Sequence, residues 1–222
     1  MSKDRKIKVW DLGVRMFHWL LLILLAVSVY SGFQDKFFND FGQIHIMSGL
    51  AILTFVITRI VWGFIGSTTA KFSSFLTGPN AVIAYLKSKE KYRWVGHNPA
   101  GGWMVLLMLF LLLSQATFGL FSSDDMDFYG PLHDTLGSTF SGWAMWAHKQ
   151  IWFLLALLVG FHVLAVIFTQ LSKDADLIKP MITGTKGHSR ESESPELRFR
   201  SFGLFCVIFV IVAAIIYVTI LY

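Results

Sequence analysis

Apolar and polar residues segregate into long blocks along this chain. Five apolar blocks stand out: Met16–Phe33, Ile44–Gly66, Trp103–Phe121, Trp143–Leu171 and Phe202–Tyr222. Each is near the roughly 20 residues that an α-helix needs to cross a hydrocarbon core of about 30 Å. The pattern predicts an all-α integral membrane protein, with a bundle of four transmembrane helices and a fifth, C-terminal one. Composition agrees: 55% of the 222 residues are hydrophobic and only 15% charged, against about 25% charged in soluble domains. The first block has a basic flank like a signal peptide, but it lacks a small-x-small cleavage site and reads as a retained helix.

The intervening segments carry the orientation. Lys3, Arg5, Lys6, Lys8 and Arg15 lie before or at the start of the first block. Lys71, Lys87, Lys89, Lys91 and Arg93 lie in the second loop, and Lys173, Lys179, Lys186, Arg190, Arg198 and Arg200 in the fourth. The first loop has only Lys36. The third, Ser122–Gly142, has no Lys or Arg but holds Asp124, Asp125, Asp127 and Asp134. This asymmetry predicts a cytoplasmic N-terminus and a C-terminus outside, and it accounts for most of the net charge of +5. A nucleic-acid role is not expected from it. Pro79–Lys89, with Val82, Ile83 and Leu86, predicts a short helix on the inner surface. Thr183–Pro195, rich in Gly and Ser, reads as a flexible linker between the four-helix unit and the fifth helix.

The chemistry is suggested by histidine inside these blocks. His148 and His162 lie fourteen residues apart in the fourth. That spacing rises about 21 Å and returns to within roughly 40° of the same face. Ionisable groups in a membrane are costly and mark functional sites. Depth matching from the topology pairs His45 with His148 at an outer site and His18 with His162 at an inner one. Two neutral imidazoles facing each other between helices suit a non-covalent haem b at each level. The single Cys206 cannot form an internal disulfide, and no Cys-x-x-Cys-His occurs for covalent haem.

Other residues fit around these sites. Gly49, one turn from His45, and Gly160, near His162, leave room for a porphyrin or a neighbouring backbone. Arg59 lies fourteen residues after His45, and Arg15 about one turn before His18. Both are candidates for inner-haem propionates through charge-assisted hydrogen bonds. His97 and Asn98, in Gly96–Trp103, are candidates for hydrogen bonding a quinone beside the inner haem; a plain turn before the third helix is the other reading. His133 and His188, in polar segments, are expected to be solvated.

Arg15-x-x-His18-Trp19, His45 followed by Gly49, Arg59-x-x-Trp62-Gly63, the Gly96–Trp103 segment and the pair His148 and His162 resemble the bacterial cytochrome b561 and NiFe-hydrogenase b-type cytochrome family. The resemblance covers about residues 7–182, leaving 183–201 as a cytoplasmic linker and 202–222 as an additional helix. It implies two b haems with the same ligand pairing, a quinone near the inner haem, and a bacterial inner-membrane location. It also implies electron transfer with a periplasmic redox partner, either a c-type cytochrome or a dehydrogenase or hydrogenase subunit. The alternatives are a hydrogenase membrane anchor, a quinol oxidase acting on oxygen or superoxide, and a non-redox proton-coupled transporter that uses the histidines as a relay.

Overall fold

The computed structural model describes residues 5–34, 40–87, 94–124, 128–172, 176–188 and 196–221. In chain order these form β1 (Arg5–Lys8), α1 (Leu12–Gln34), α2 (Asp40–Ile65), α3 (Phe72–Phe75), α4 (Pro79–Lys87), α5 (Pro99–Phe121), α6 (Ser138–Leu171), α7 (Ile178–Thr183), β2 (Thr185–His188) and α8 (Phe202–Leu221). Short 3-10 turns occupy Thr68–Ala70 and His133–Leu136. Among the described residues, five helices are long and apolar enough to span a bilayer, as the block pattern predicts. In the longest, Ser138–Leu171, only 11% of the most apolar window is buried. Leu164, Phe168 and Phe153 point outward at 63–65% exposure. Outward apolar surface on this scale calls for lipid as the solvent.

Helices α1 and α5 begin earlier than their apolar blocks because capping residues precede them. Asp11 Oδ1 accepts the Val14 backbone N–H at 2.7 Å and starts α1. Asn98 Oδ1 accepts the Gly101 N–H at 2.7 Å, and Pro99 occupies the first turn of α5. The inner-surface helix is found at Pro79–Lys87. The last two positions of the expected span, Ser88 and Lys89, lie outside the described residues.

Helices α1 and α2 form one closely packed hairpin, α5 and α6 a second, and α2 joins α5. Helix α8 packs on α2 and α1 through buried Phe205, Ile208 and Val212. Phe205 meets Trp62 at 5.4 Å and Phe209 meets Phe55 at 4.7 Å. Gly13 has no side chain to collide with the Phe205 ring.

A cap closes the face that carries the N-terminus. Strand β1 pairs antiparallel with β2, from Arg5 opposite His188 to Lys8 opposite Thr185. The flexible-linker expectation is therefore corrected at Thr185–His188, which are held in a ladder; residues 189–195 lie outside the described residues. Alternation explains β1: Ile7 and Val9 turn inward while Lys6 and Lys8 face out. Gly184, at φ 81°, turns the chain from α7 into β2, and its carbonyl accepts from Val9 and Trp10. Further bonds tie Thr68 to Arg198 and Ser67 to Arg200.

Asp11 links cap and bundle: it is 3% exposed, caps α1 and accepts the Trp62 indole N–H at 3.0 Å. Asp11→Ala should destabilise the protein by about 1–3 kcal/mol. Thermal unfolding in detergent should show a lowered midpoint, with Asp11→Asn losing less because it keeps a capping oxygen.

Candidate functional site: histidine pairs between two hairpins

The first ligand candidates come from different hairpins. His45 on α2 and His148 on α6 bring their ring centroids to 6.1 Å, with the planes at 85°. Metal–imidazole bonds are about 2.0–2.1 Å, so rings at this separation would leave room to hold one metal between them. The hydrogen bonds fix the tautomers. His45 Nδ1 donates to the Ser28 carbonyl of α1 at 2.8 Å, and His148 Nδ1 donates to the Gln115 carbonyl of α5 at 2.8 Å. A carbonyl only accepts, so Nδ1 carries the hydrogen in both rings and Nε2 keeps its lone pair. An outer N–H given to a backbone carbonyl is the usual support of a metal-bound imidazole. Gln115 Nε2 lies 3.1 Å from His148 Nε2 and donates to the lone pair that a metal takes. This donor set fits axial ligation of a b haem.

Sequence reading missed the residues that hold these rings. Gly32 and Gly119 lie directly against the His45 and His148 imidazoles. Phe128 stands 6.3 Å from the His45 ring. It is placed there because the third loop folds back on α5: Gly130 donates to Ser122 at 2.7 Å, Leu132 to Leu120 at 2.8 Å, and Phe128 to Asp124 Oδ1 at 2.9 Å. The only advance signal was the run of glycines in otherwise apolar blocks. His133 departs from the solvated expectation. Its Nδ1 donates to Gly130, its Nε2 lies 3.0 Å from Asp134, and its ring packs on Tyr129 at 4.9 Å. The side chain of His188 lies outside the described residues.

The second pair, His18 on α1 and His162 on α6, is within electrostatic range. His18 Nδ1 is sealed from solvent and has no hydrogen-bond partner. Three more donors at this level have an unpartnered buried atom: Arg15 Nε, Arg59 Nη1 and His97 Nδ1. Arg59 is 2% exposed, lies over the Phe72 ring at 5.8 Å and senses Asp11. Arg15 also has a structural task, since its Nη2 donates to the Ile182 carbonyl at the end of α7. A cluster of sealed, unsatisfied donors fits the carboxylates of a bound group. Gly49 and Gly160 face open space, with no neighbouring atom within 4 Å of a β-carbon, so neither serves close helix packing.

His97 is clamped between Trp10 and Phe75, each at 4.6 Å. Asn98 is committed on both sides: its oxygen caps α5 and its Nδ2 donates to the Tyr85 hydroxyl at 2.8 Å. It holds the loop that presents His97.

The sequence profile described as Prokaryotic cytochrome b561 matches residues 9–184. The chain belongs to the prokaryotic cytochrome b561 family. It is similar to a protein of Bradyrhizobium diazoefficiens named probable Ni/Fe-hydrogenase B-type cytochrome subunit, at 21% identity over 80% of this chain and 85% of that protein. It is also similar to a protein of the same name from Azotobacter vinelandii, at 19% identity over 83% and 90%. Five apolar helices and this family make the chain a multi-pass bacterial membrane protein with a haem b electron-transfer role. That role stands in place of the non-redox transporter alternative.

Burial pushes the His97 imidazole down to about 3, and the charges of Arg59 and His162 act in the same direction. The ring is therefore neutral at neutral pH. An unfolded histidine titrates near 6.5, so the unfolded chain takes up this proton first as pH falls. The stabilising contribution is complete above about 6.5 and is lost progressively toward 3. Hydrogen exchange across residues 94–102 should accelerate through that window, and His97→Gln should flatten the dependence.

Proposed function

We propose that the chain is an inner-membrane dihaem cytochrome b that carries electrons between the quinone pool and a periplasmic redox protein. The observation that carries this reading is the His45–His148 pair, with its centroids at 6.1 Å and both Nδ1 hydrogens committed to helix carbonyls. His45 and His148 would hold an outer haem and His18 and His162 an inner one, with a helix rise of about 21 Å between the two histidines of α6. Bound haem supplies one-electron redox chemistry. The residues do the rest. The four imidazoles would hold the irons, the Ser28 and Gln115 carbonyls orient two of them, and Arg15 and Arg59 would pair with inner-haem propionates. The basic N-terminal face is cytoplasmic and the C-terminus periplasmic, following the charge asymmetry of the loops.

Quinone reacts beside the inner haem in this scheme. His97 Nδ1, sealed and unpartnered, is the hydrogen-bonding group for a quinone carbonyl, and Asn98 holds the loop in place. On the opposite side, the names of the relatives favour a hydrogenase or related dehydrogenase subunit as the partner. The aspartates of the third loop favour a c-type cytochrome with a basic docking face. A pull-down from the native membrane separates the two.

A pyridine haemochrome assay on purified protein should find two non-covalent, low-spin haems per chain; one haem or none defeats the two-site reading. His45→Leu and His148→Leu should damage the same haem, and His18→Leu and His162→Leu the other. Spectra that group His18 with His148 would overturn the pairing. His97→Ala should keep both haems and normal reduction by dithionite. It should weaken a quinol analogue by roughly one to two decades in affinity. Unchanged quinol kinetics would leave the segment as a turn alone.

A further inference from the structure

We propose that Gly32 and Gly119 are positioning residues that set the redox potential of the outer haem, by letting each axial imidazole reach a carbonyl on the neighbouring helix. The inference rests on the reading of His45 and His148 as haem ligands. The same arrangement occurs twice. On α1, Ser28 supplies the carbonyl and Gly32, four residues later, lies against the His45 ring. On α5, Gln115 supplies the carbonyl and Gly119, again four residues later, lies against the His148 ring.

Helix geometry explains the spacing. A helix carbonyl points along the axis toward the residue four positions on, and a side chain there lies beside the approach to that oxygen. A β-carbon on Gly32 would stand 2.9 Å from His45 Nδ1 and 3.0 Å from Cε1. On Gly119 it would stand 3.0 Å from His148 Cε1 and 3.2 Å from Nδ1. Ordinary contacts begin near 3.4 Å. Close packing of helix backbones is the usual use of glycine in a membrane. Here the nearest atoms met at both positions belong to the imidazoles. Gly49, Gly142 and Gly160, on α2 and α6, meet nothing within 4 Å. Gly13 and Gly63 face the phenyl rings of Phe205 and Phe72, so among the described glycines contact with an imidazole belongs to Gly32 and Gly119.

The consequence is electronic. An Nδ1–H bonded to a carbonyl makes the imidazole a more basic ligand, and such outer hydrogen bonds tune the metal. A more basic ligand stabilises the oxidised iron. Moving the ring off the carbonyl removes that preference, so the potential rises.

The test uses purified full-length protein with its haems, titrated spectroelectrochemically, with the outer haem identified by its loss in His148→Leu. Gly32→Ala and Gly119→Ala should each favour the reduced outer haem by about tenfold, equal to about 59 mV for a one-electron couple. The effect should be larger at Gly32, and the inner haem should not move. The ferric outer-haem EPR signal should shift in step, and Gly142→Ala should match the unmodified protein. Unchanged outer potentials, or an equal shift of the inner haem, overturn the proposal. Should either variant lose haem, ENDOR on the unmodified protein decides. Exchangeable, hydrogen-bonded Nδ1 protons on both outer ligands are expected, and their absence overturns the proposal. If His45→Leu and His148→Leu leave haem content and spectra intact, the ligand reading itself falls. If those variants lose haem but the glycine variants shift nothing, only the positioning role falls.

Discussion

An imidazole inside a bilayer must find a partner for one N–H and one lone pair, because no water is there to supply either. His45 and His148 meet the first demand with helix carbonyls at 2.8 Å. That choice fixes the tautomer and leaves on Nε2 a lone pair suited to a metal. The remaining architecture follows from it. Each ring borrows its carbonyl from the other helix of its own hairpin, so α1 must lie against α2 and α5 against α6. The two hairpins can then remain apart where the rings face each other. The third loop folds back so that Phe128 covers the opening beside His45.

The opposite end of the bundle is organised by buried polar groups with fewer partners. Asp11 caps α1 and takes the Trp62 N–H, while Arg59 and His97 keep sealed atoms unsatisfied. An unsatisfied buried donor is expensive. Several at one level, around Arg15 and His18, indicate a site shaped for a ligand with carboxylate or carbonyl oxygens. The cap of β1, α7 and β2 encloses this site. Arg15 and Trp19 both donate to carbonyls at the end of α7, so the helix that carries His18 also anchors the lid above it.

The five spans were legible because a helix crossing a bilayer needs a long apolar block, whatever its neighbours. The nearness of His45 and His148 was legible too, since rise per residue and alternating direction bring them to one end of the bundle. Rotation about each helix axis was not. Nothing in the residues around Gly32 or Gly119 states that an imidazole from the adjacent helix arrives there. The helix starts were missed by about a turn, because Asp11 and Asn98 are polar and fell outside the apolar blocks. The β1–β2 ladder escaped notice because four-residue strands so far apart in sequence carry no mutual signal. The capping task of Asn98 was not read from the sequence; a residue that satisfies a helix end and one that binds a substrate have the same chemistry on paper.

The β1–β2 ladder also imposes an order on biosynthesis. Arg5–Lys8 emerge first, yet their partners at Thr185–His188 emerge only after four spans have been made. At about 5–20 residues per second, the N-terminal strand waits roughly ten to forty seconds for its complement. The cap therefore cannot seal before α6 has been synthesised with both of its histidines. Until then the cap over the end of the bundle that carries Arg15 and His18 stays unfinished.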